Sequence, residues 1–318
     1  MNLSIESIYR NFKHGKVNFN TTTQLLISEI ENNENIELRL KALQTLVKIR
    51  KNDVQLFKYL ENLLVSDISS IIRKYSVETI GKLFMKQAFP PMKWAFQFEK
   101  DLECKIAILK VIASVNSPES SQVLINEIKK IKNAKYINKE LKSYKNKFRV
   151  AINNLIKSNG LKSCSQKELS EIIINFYIIK SLTQKFYSVN FEVDPQKATI
   201  NQLDLSDIEY EVRGWKAEFK NNITESSQII SVIHLKDLSR LDLSNNQLKS
   251  LEFLKYLPNL KGLNIANNRI DDPTNIKYIN THQALKYINL EGNKISSTLK
   301  NSLINSNIKV KTTQSSYF

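Results

Sequence analysis

The stretch LSRLDLSNNQL, residues 238–248, decides the fold of the C-terminal part of this chain. Its pattern, Leu-x-x-Leu-x-Leu-x-x-Asn-x-Leu, returns 22 residues later as LKGLNIANNRI (260–270) and 25 residues after that as LKYINLEGNKI (285–295). Alternating apolar positions predict a short strand with its apolar side chains pointing to one face. A repeat of this length predicts that such strands stack side by side around one continuous core.

These stretches resemble leucine-rich repeats of the 22-residue class, which implies an α/β solenoid with a short parallel sheet and a role in regulatory or adaptor proteins. The recurring Asn246, Asn268 and Asn293 are expected to form a structural ladder that satisfies backbone groups where the chain turns. An earlier stretch, INQLDLSDI (200–208), keeps the strand pattern without the Asn and is interpreted as a capping repeat. NIKV (307–310) is predicted to be a final strand, and the insertion at 209–230 has no assigned role.

The concave face of such a sheet exposes alternate strand residues, and this face is the predicted protein-binding surface. A small polar surface around a tyrosine suits protein recognition, because aromatic side chains often anchor interfaces. A neutral face that keeps the domain soluble is the competing interpretation. The predicted binding residues are Arg240, Asp242, Ser244, Asn264, Tyr287, Asn289 and Glu291.

The N-terminal half shows a weaker repeat. IELRLKALQTL (36–46) and SIIRKYSVETI (70–80) share an Arg, a small residue three positions later and a following apolar residue, 34 positions apart. Looser copies occur at 101–111 and 147–155. The spacing predicts pairs of helices, and the residues Ile72-Arg73 with Ile80-Gly81 resemble the HEAT family. This resemblance implies a macromolecule-binding superhelix without shared catalytic residues, and a plain helical bundle is the alternative.

Residues 129–157 are strongly basic, with ten Lys or Arg against Glu140. On a helix, part of this set falls on one face, where it could contact phosphates or an acidic protein surface. A solvated helix face is the competing interpretation, and the scarcity of Arg argues against specific nucleic-acid recognition. The candidate contact residues are Lys132, Lys135, Lys139, Lys142 and Arg149.

Length and composition predict an α-rich, two-domain repeat protein. The 318 residues contain only 6 Gly and 6 Pro, which favours long helices. The domains are predicted as a HEAT-like α-solenoid at 1–195, whose last buried helix lies at about 166–187, and leucine-rich repeats at 196–318. The formal net charge is +16, and residues 1–160 alone carry 27 Lys and Arg against 15 Asp and Glu.

The function predicted from these patterns is a non-enzymatic intracellular scaffold or adaptor that binds another protein, with a regulatory role in signalling or trafficking. The alternative is a nucleic-acid-binding protein that uses the basic helix 129–157. No catalytic, metal-ligand or cofactor motif is recognised, and no small-molecule substrate or cofactor is expected. A third alternative, an enzyme resembling HEAT-like DNA glycosylases, would use Trp94, Asp101 and the basic helix, although no motif of the sequence matches that set.

Membrane insertion is not expected, because no apolar run approaches the length of a membrane span. The N-terminus lacks the apolar stretch of a signal peptide, and the two cysteines have no spacing typical of a redox pair. These features predict a cytoplasmic protein with reduced thiols.

Overall fold

The computed structural model describes residues 4–50, 53–133, 139–158, 160–186, 188–206, 208–212, 215–219, 223–295 and 308–312, with the backbone alone described at 139–145 and 208–219. The chain forms two compact units, Met1–Leu124 and Ile125–Phe318. The fold is helix-rich, with a small sheet in its C-terminal part.

The first unit is built from consecutive helices joined by short loops. Several helices begin at a polar residue whose side chain accepts a first-turn N–H, as Asn35 does from Leu38 and Asp101 from Cys104. The helices are α1 (Ile5–Lys13), α2 (Phe19–Asn32), α3 (Ile36–Ile49), α4 (Val54–Ser66), α5 (Ser70–Leu83), α6 (Phe89–Phe98) and α7 (Leu102–Val115).

Neighbouring helices pack as the pairs α2 with α3, α4 with α5 and α6 with α7, and α5 contacts both α3 and α7. Small residues allow this close packing, because Ala42 of α3 and Ser76 of α5 are fully buried. A side chain added at Gly81 of α5 would lie 2.6 Å from Val111 Cγ2 of α7. The core of this unit therefore depends on small side chains along α3 and α5.

Two arginines, buried Arg39 and half-buried Arg73, link successive helix pairs. Arg39 of α3 binds the Asp67 carboxylate and donates to the Ile30 carbonyl oxygen at 2.5 Å. Arg73 of α5 binds both carboxylate oxygens of Glu99 at 2.8 Å. Burial alone would raise the pKa of Glu99, but Arg73 and nearby backbone N–H groups outweigh it and hold that pKa at about 2.

Helix α8 (Pro118–Asn133) crosses the division between the units, and the second unit continues with α9 (Lys139–Ser158) and α10 (Gln166–Lys185). The sequence placed these helices in a first domain ending at residue 195, whereas the observed division falls at 124/125. The reason is packing, since α9 contacts the first strand and the Asn175 side chain of α10 accepts the Ile200 N–H at 2.7 Å. The first strand of the parallel part of the sheet begins at Ile200.

Helix α10 matches the buried helix predicted at 166–187. It starts with a capping box, in which the Ser165 hydroxyl accepts the Glu168 N–H and the Glu168 carboxylate accepts the Ser165 N–H. Its isoleucines are buried almost all round between residues 172 and 179.

Six short strands form the sheet of the second unit in the order β1-β2-β5-β6-β7-β8, and β3 with β4 form a separate antiparallel pair inside the insertion. β1 pairs antiparallel with β2, and every later neighbour is parallel. The strands are β1 (Asn190–Val193), β2 (Ile200–Asp204), β3 (Ile208–Val212), β4 (Trp215–Phe219), β5 (Arg240–Asp242), β6 (Gly262–Asn264), β7 (Tyr287–Asn289) and β8 (Lys309–Lys311).

One apolar row runs through the parallel sheet in strict register, as the repeat pattern predicts. The row pairs Leu203 with Leu241, then Leu263, Ile288 and Val310. Short 3₁₀ turns at Glu252–Tyr256 and Pro273–Asn275, followed by helix α11 (Ile276–Asn280), lie between the strands. Stacking of these strands gives the second unit its continuous core.

Candidate functional site

The candidate site is the polar face of the parallel sheet, where outward strand positions form two rows. The first row brings together Gln202, Arg240, Gly262 and Tyr287, and the second row aligns Asp242 with Asn264 and Asn289. Parallel strands lie about 4.8 Å apart, so these side chains form one continuous surface. The structure thus brings most of the sequence-predicted binding residues together.

The second row also has a structural task. The Asp242 carboxylate accepts the Ser244 N–H at 2.9 Å, and the Asn264 and Asn289 side chains accept the N–H two residues on. Asp242 further accepts a hydrogen bond from the Asn264 side-chain amide at 2.8 Å. Besides lying on the polar face of the sheet, these side chains therefore stabilise the turn that follows each strand, as in Asx-turns.

The remaining two predicted residues differ in accessibility. Ser244 is buried, and its hydroxyl donates to Asp242 at 2.6 Å. Glu291 is half-buried and forms an ion pair with Lys311 at 2.6 Å, a hydrogen bond that raises the pKa of Lys311. Arg240 and Tyr287 are the side chains of the predicted set that are best placed to meet a partner.

A groove of about 850 Å³ runs across this face, from β1 to β7. Arg240 and Tyr287 line it together with Lys261 and Lys286, which immediately precede β6 and β7. Arg240, Lys261 and Lys286 are exposed, and none of the three forms an ion pair within the described part of the chain. The same lining contains the carboxylates of Glu192, Asp204 and Asp242, of which Glu192 is paired with Lys147, so the groove carries charges of both signs.

The alternation pattern of the sequence does not identify Lys261 and Lys286 as residues of the groove. They occupy the same repeat position, just before the inward Leu263 and Ile288 segments, and that recurrence was an available signal. Period-two alternation counts only residues inside a strand, so it overlooks side chains at the rim.

The three ladder asparagines lie one above another beneath the turns. Each side-chain amide donates to carbonyl oxygens of its own and the preceding repeat, as Asn268 does to Leu243 at 2.9 Å and Ile265 at 3.2 Å. Each side-chain oxygen accepts one backbone N–H, from Ile223 at Asn246, Leu248 at Asn268 and Ile270 at Asn293. The ladder thus satisfies buried polar groups that no strand can reach.

The residue before each ladder asparagine has a left-handed backbone. Asn245, Asn267 and Gly292 have φ values of 59°, 54° and 70°. Asn and Gly tolerate this region better than other residues. The turn that follows each strand therefore favours Asn or Gly at the position before the ladder asparagine.

Only part of the predicted basic surface can be located. Arg149 of α9 is exposed and Lys132 of α8 is half-buried, whereas Lys135 lies outside the described residues and the side chains of Lys139 and Lys142 are not described. Neighbouring Lys147 contacts Glu192 at 3.1 Å and lies 5.1 Å from the centre of the Phe191 ring.

The residues considered for an enzyme have structural contacts. Asp101 caps α7, and the Trp94 ring packs on Phe98 with 4.7 Å between centroids. Among the described residues, no group of three or more His, Cys, Asp or Glu side chains is arranged to hold a metal ion. No described helix combines the length and the apolar character that crossing a membrane requires.

Comparison with known proteins locates the resemblance in the second unit. Residues 236–278 match the family model described as leucine-rich repeats in two copies. A protein of Drosophila melanogaster named acidic leucine-rich nuclear phosphoprotein 32 family member A is 40% identical over 96 residues, which cover 28% of this chain and 35% of the relative. Its namesake in Drosophila pseudoobscura pseudoobscura is 38% identical over 93 residues, with the same coverage. This chain thus spans about a third of the length of these curated relatives.

These names correct one prediction. The sequence was interpreted as cytoplasmic, but both relatives are named nuclear phosphoproteins, so the cytoplasmic prediction is wrong on this comparison. The composition and motifs used for that prediction do not distinguish the cytoplasm from the nucleus. The relatives are named acidic, whereas this chain has a net charge of +16. The C-terminal part of this chain contains leucine-rich repeats, similar over about a hundred residues to those of nuclear phosphoproteins.

Proposed function

We propose that this chain is a non-enzymatic scaffold that binds an acidic segment of a partner protein in the groove of its repeat sheet. The observation that carries this proposal is the set of three exposed cations, Arg240, Lys261 and Lys286, which form no ion pair within the described residues and line the groove with Tyr287. Cations in a groove attract carboxylates and speed encounter, and an aromatic side chain in the same groove supplies contact area at a low cost in conformational entropy. The similarity to leucine-rich repeats supports a protein partner.

The test uses the immobilised full chain and identifies captured proteins by mass spectrometry. Arg240→Glu combined with Lys286→Glu should reduce capture of a specific partner by at least about tenfold, and Tyr287→Ala should reduce it as well. Lys249→Glu is the matched control, because Lys249 is exposed and does not line the groove. Equal capture by the groove variants and the control would remove the groove from the proposal.

The helical half is proposed to be a HEAT-like stack that offers a second binding surface. Support comes from the row of α3, α5 and α7 and from the arginine links between successive helix pairs. A regulatory role in signalling or trafficking is part of the same proposal and depends on the partner. The relatives' names support a nuclear location, so a fluorescently tagged chain should concentrate in the nucleus, and exclusion from it would contradict this point.

The second candidate function is nucleic-acid binding through the basic segment 129–157. The exposure of Arg149 and the excess of Lys in this segment support it. A nucleic-acid binder should lose affinity steeply as salt rises, and Lys135→Glu, Lys139→Glu and Lys142→Glu together should reduce the slope. Binding that is insensitive to both would exclude this candidate.

A further inference from the structure

Seven exposed apolar side chains lie where the paired helices of the first unit connect. Such side chains are normally scattered singly over a surface, so their concentration at one set of connections is unusual. Ile68 is 92% exposed and Phe98 is 60% exposed. This set, called the apolar strip below, comprises Ile36, Leu38, Val65, Ile68, Ile71, Trp94 and Phe98.

The arginine links tie together the three helix connections that carry the strip. Arg39, next to Leu38, binds Asp67, next to Ile68. Arg73 donates to the Ile68 carbonyl oxygen at 3.1 Å and also binds Glu99, next to Phe98. The connections of three successive helix pairs are therefore tied together in order, and packed helices lie about 8–10 Å apart.

Unpaired charges mark the two ends of the strip with opposite signs. Exposed Glu34 and Glu37 flank Ile36 at one end, and exposed Lys93 and Lys100 flank Trp94 and Phe98 at the other. None of these four side chains forms an ion pair within the described residues. The strip is thus acidic at one end, apolar along its length and basic at the other end.

We propose that the apolar strip binds the same strip of a second copy of this chain, with the two strips antiparallel. A two-fold axis near Ile68 and Ile71 would place the acidic end of each copy opposite the basic end of the other. An interface on a two-fold axis must be complementary to itself, and a surface with opposite charges at its two ends meets that condition.

The size of the strip sets the expected strength. Seven partly exposed apolar side chains offer several hundred Å² per copy, so two facing strips with their charged flanks would bury on the order of 1,000 Å². This is the lower end of the range for specific interfaces, where weak or transient association is typical. The dimer is therefore expected to be reversible.

Sedimentation equilibrium of the full chain over a concentration series tests the proposal. The unaltered chain should dimerise at low ionic strength, and Ile68→Asp should raise the dissociation constant at least about tenfold. Val54→Asp is the matched control, because Val54 is 61% exposed at the start of α4, at the opposite end of that helix from Ile68. A chain that stays monomeric at about 1 mM, or a dimer that Ile68→Asp leaves intact, would overturn the proposal.

Charge reversal tests the antiparallel arrangement. Glu37→Lys or Lys100→Glu alone should raise the dissociation constant about fivefold at low salt, since each places like charges opposite one another twice in the dimer. The double variant restores opposite charges and should return to within about twofold of the unaltered chain. Single variants without effect, or a double variant weaker than both, would reject the antiparallel pairing.

Discussion

Replacement of Asn268 by Ala tests the energetic importance of the asparagine ladder. In the intact protein the Asn268 side-chain oxygen accepts the buried Leu248 N–H at 2.9 Å, and its amide donates to three carbonyl oxygens. The alanine variant leaves the Leu248 N–H without its partner. The carbonyl oxygens of Leu243 and Ile265 keep other donors, Asn246 and Asn293.

The expected loss of stability differs between the N–H that loses its acceptor and the carbonyl oxygens that keep another donor. An orphaned buried N–H costs about 1–3 kcal/mol, and each lost hydrogen bond to a carbonyl that keeps another donor costs about 0.5 kcal/mol. The sum is about 3 kcal/mol, which corresponds to a roughly hundredfold change in the local opening equilibrium. Because stacked repeats contact their neighbours, the loss should reach adjacent strands.

Hydrogen exchange at the Leu248 amide, combined with urea unfolding, measures this cost. The Leu248 amide should exchange about a hundredfold faster in Asn268→Ala, whereas Asn280→Ala, at an exposed position, should change stability by less than about 0.5 kcal/mol. If the Leu248 amide stays protected and the free energy of unfolding falls by less than about 1 kcal/mol, the asparagine ladder does not stabilise the repeats to the extent argued above.

Three further predictions concern the backbone and the core. Gly292→Ala should lower the free energy of unfolding by about 3 kcal/mol, because Gly292 has a φ of 70° and an added Cβ would lie 1.9 Å from Asn267 Oδ1. Gly15 is the control, because it has a similar φ of 66° but no atom lies within 4 Å of an added Cβ. Gly15→Ala should therefore lower the free energy of unfolding by only about 1 kcal/mol in the same urea titration. Gly81→Ala should lower the melting temperature through contact with Val111, and Val111→Ala in the same chain should recover part of the loss, which calorimetry can measure. Because the pKa of Glu99 is lowered from 4.5 to about 2, its ionised form stabilises the fold above pH 4.5, and this contribution is lost as the pH falls towards 2. In unfolding titrations from pH 5 to 2, the free energy of unfolding should therefore decline less steeply for Glu99→Gln than for the unaltered chain.

Periodicity in the sequence was sufficient to predict the sheet. Leu241, Leu263 and Ile288 recur in a fixed pattern, and an apolar row can be buried by only one register. The polar face followed from the same alternation, which is why Arg240 and Tyr287 were located correctly on it. The hydrogen bond from the Ser244 N–H to the Asp242 carboxylate was not predictable. Alternation indicates the face on which a side chain lies, but it does not indicate whether that side chain also accepts a hydrogen bond within the following turn.

The division of the chain was harder to predict. Helices α9 and α10 have the same apolar periodicity as the preceding helices, so sequence alone grouped them with the N-terminal half. Their partners are decided by contacts between residues distant in sequence, such as Asn175 with Ile200 and Phe148 with Phe191. The apolar strip was not predictable from the sequence, because Ile68 and Phe98 occur in different segments, which Arg73 joins through the Ile68 carbonyl oxygen and the Glu99 carboxylate.

The antiparallel strand β1 has a consequence for solubility. A parallel sheet that ended at β2 would offer unpaired N–H and C=O groups to any passing chain, and such an edge promotes aggregation. Residues 190–193 pair with β2 along that edge, and β1, which becomes the edge strand, in turn contacts α9. At the opposite side, β8 carries Lys309 and Lys311, whose charges disfavour strand addition.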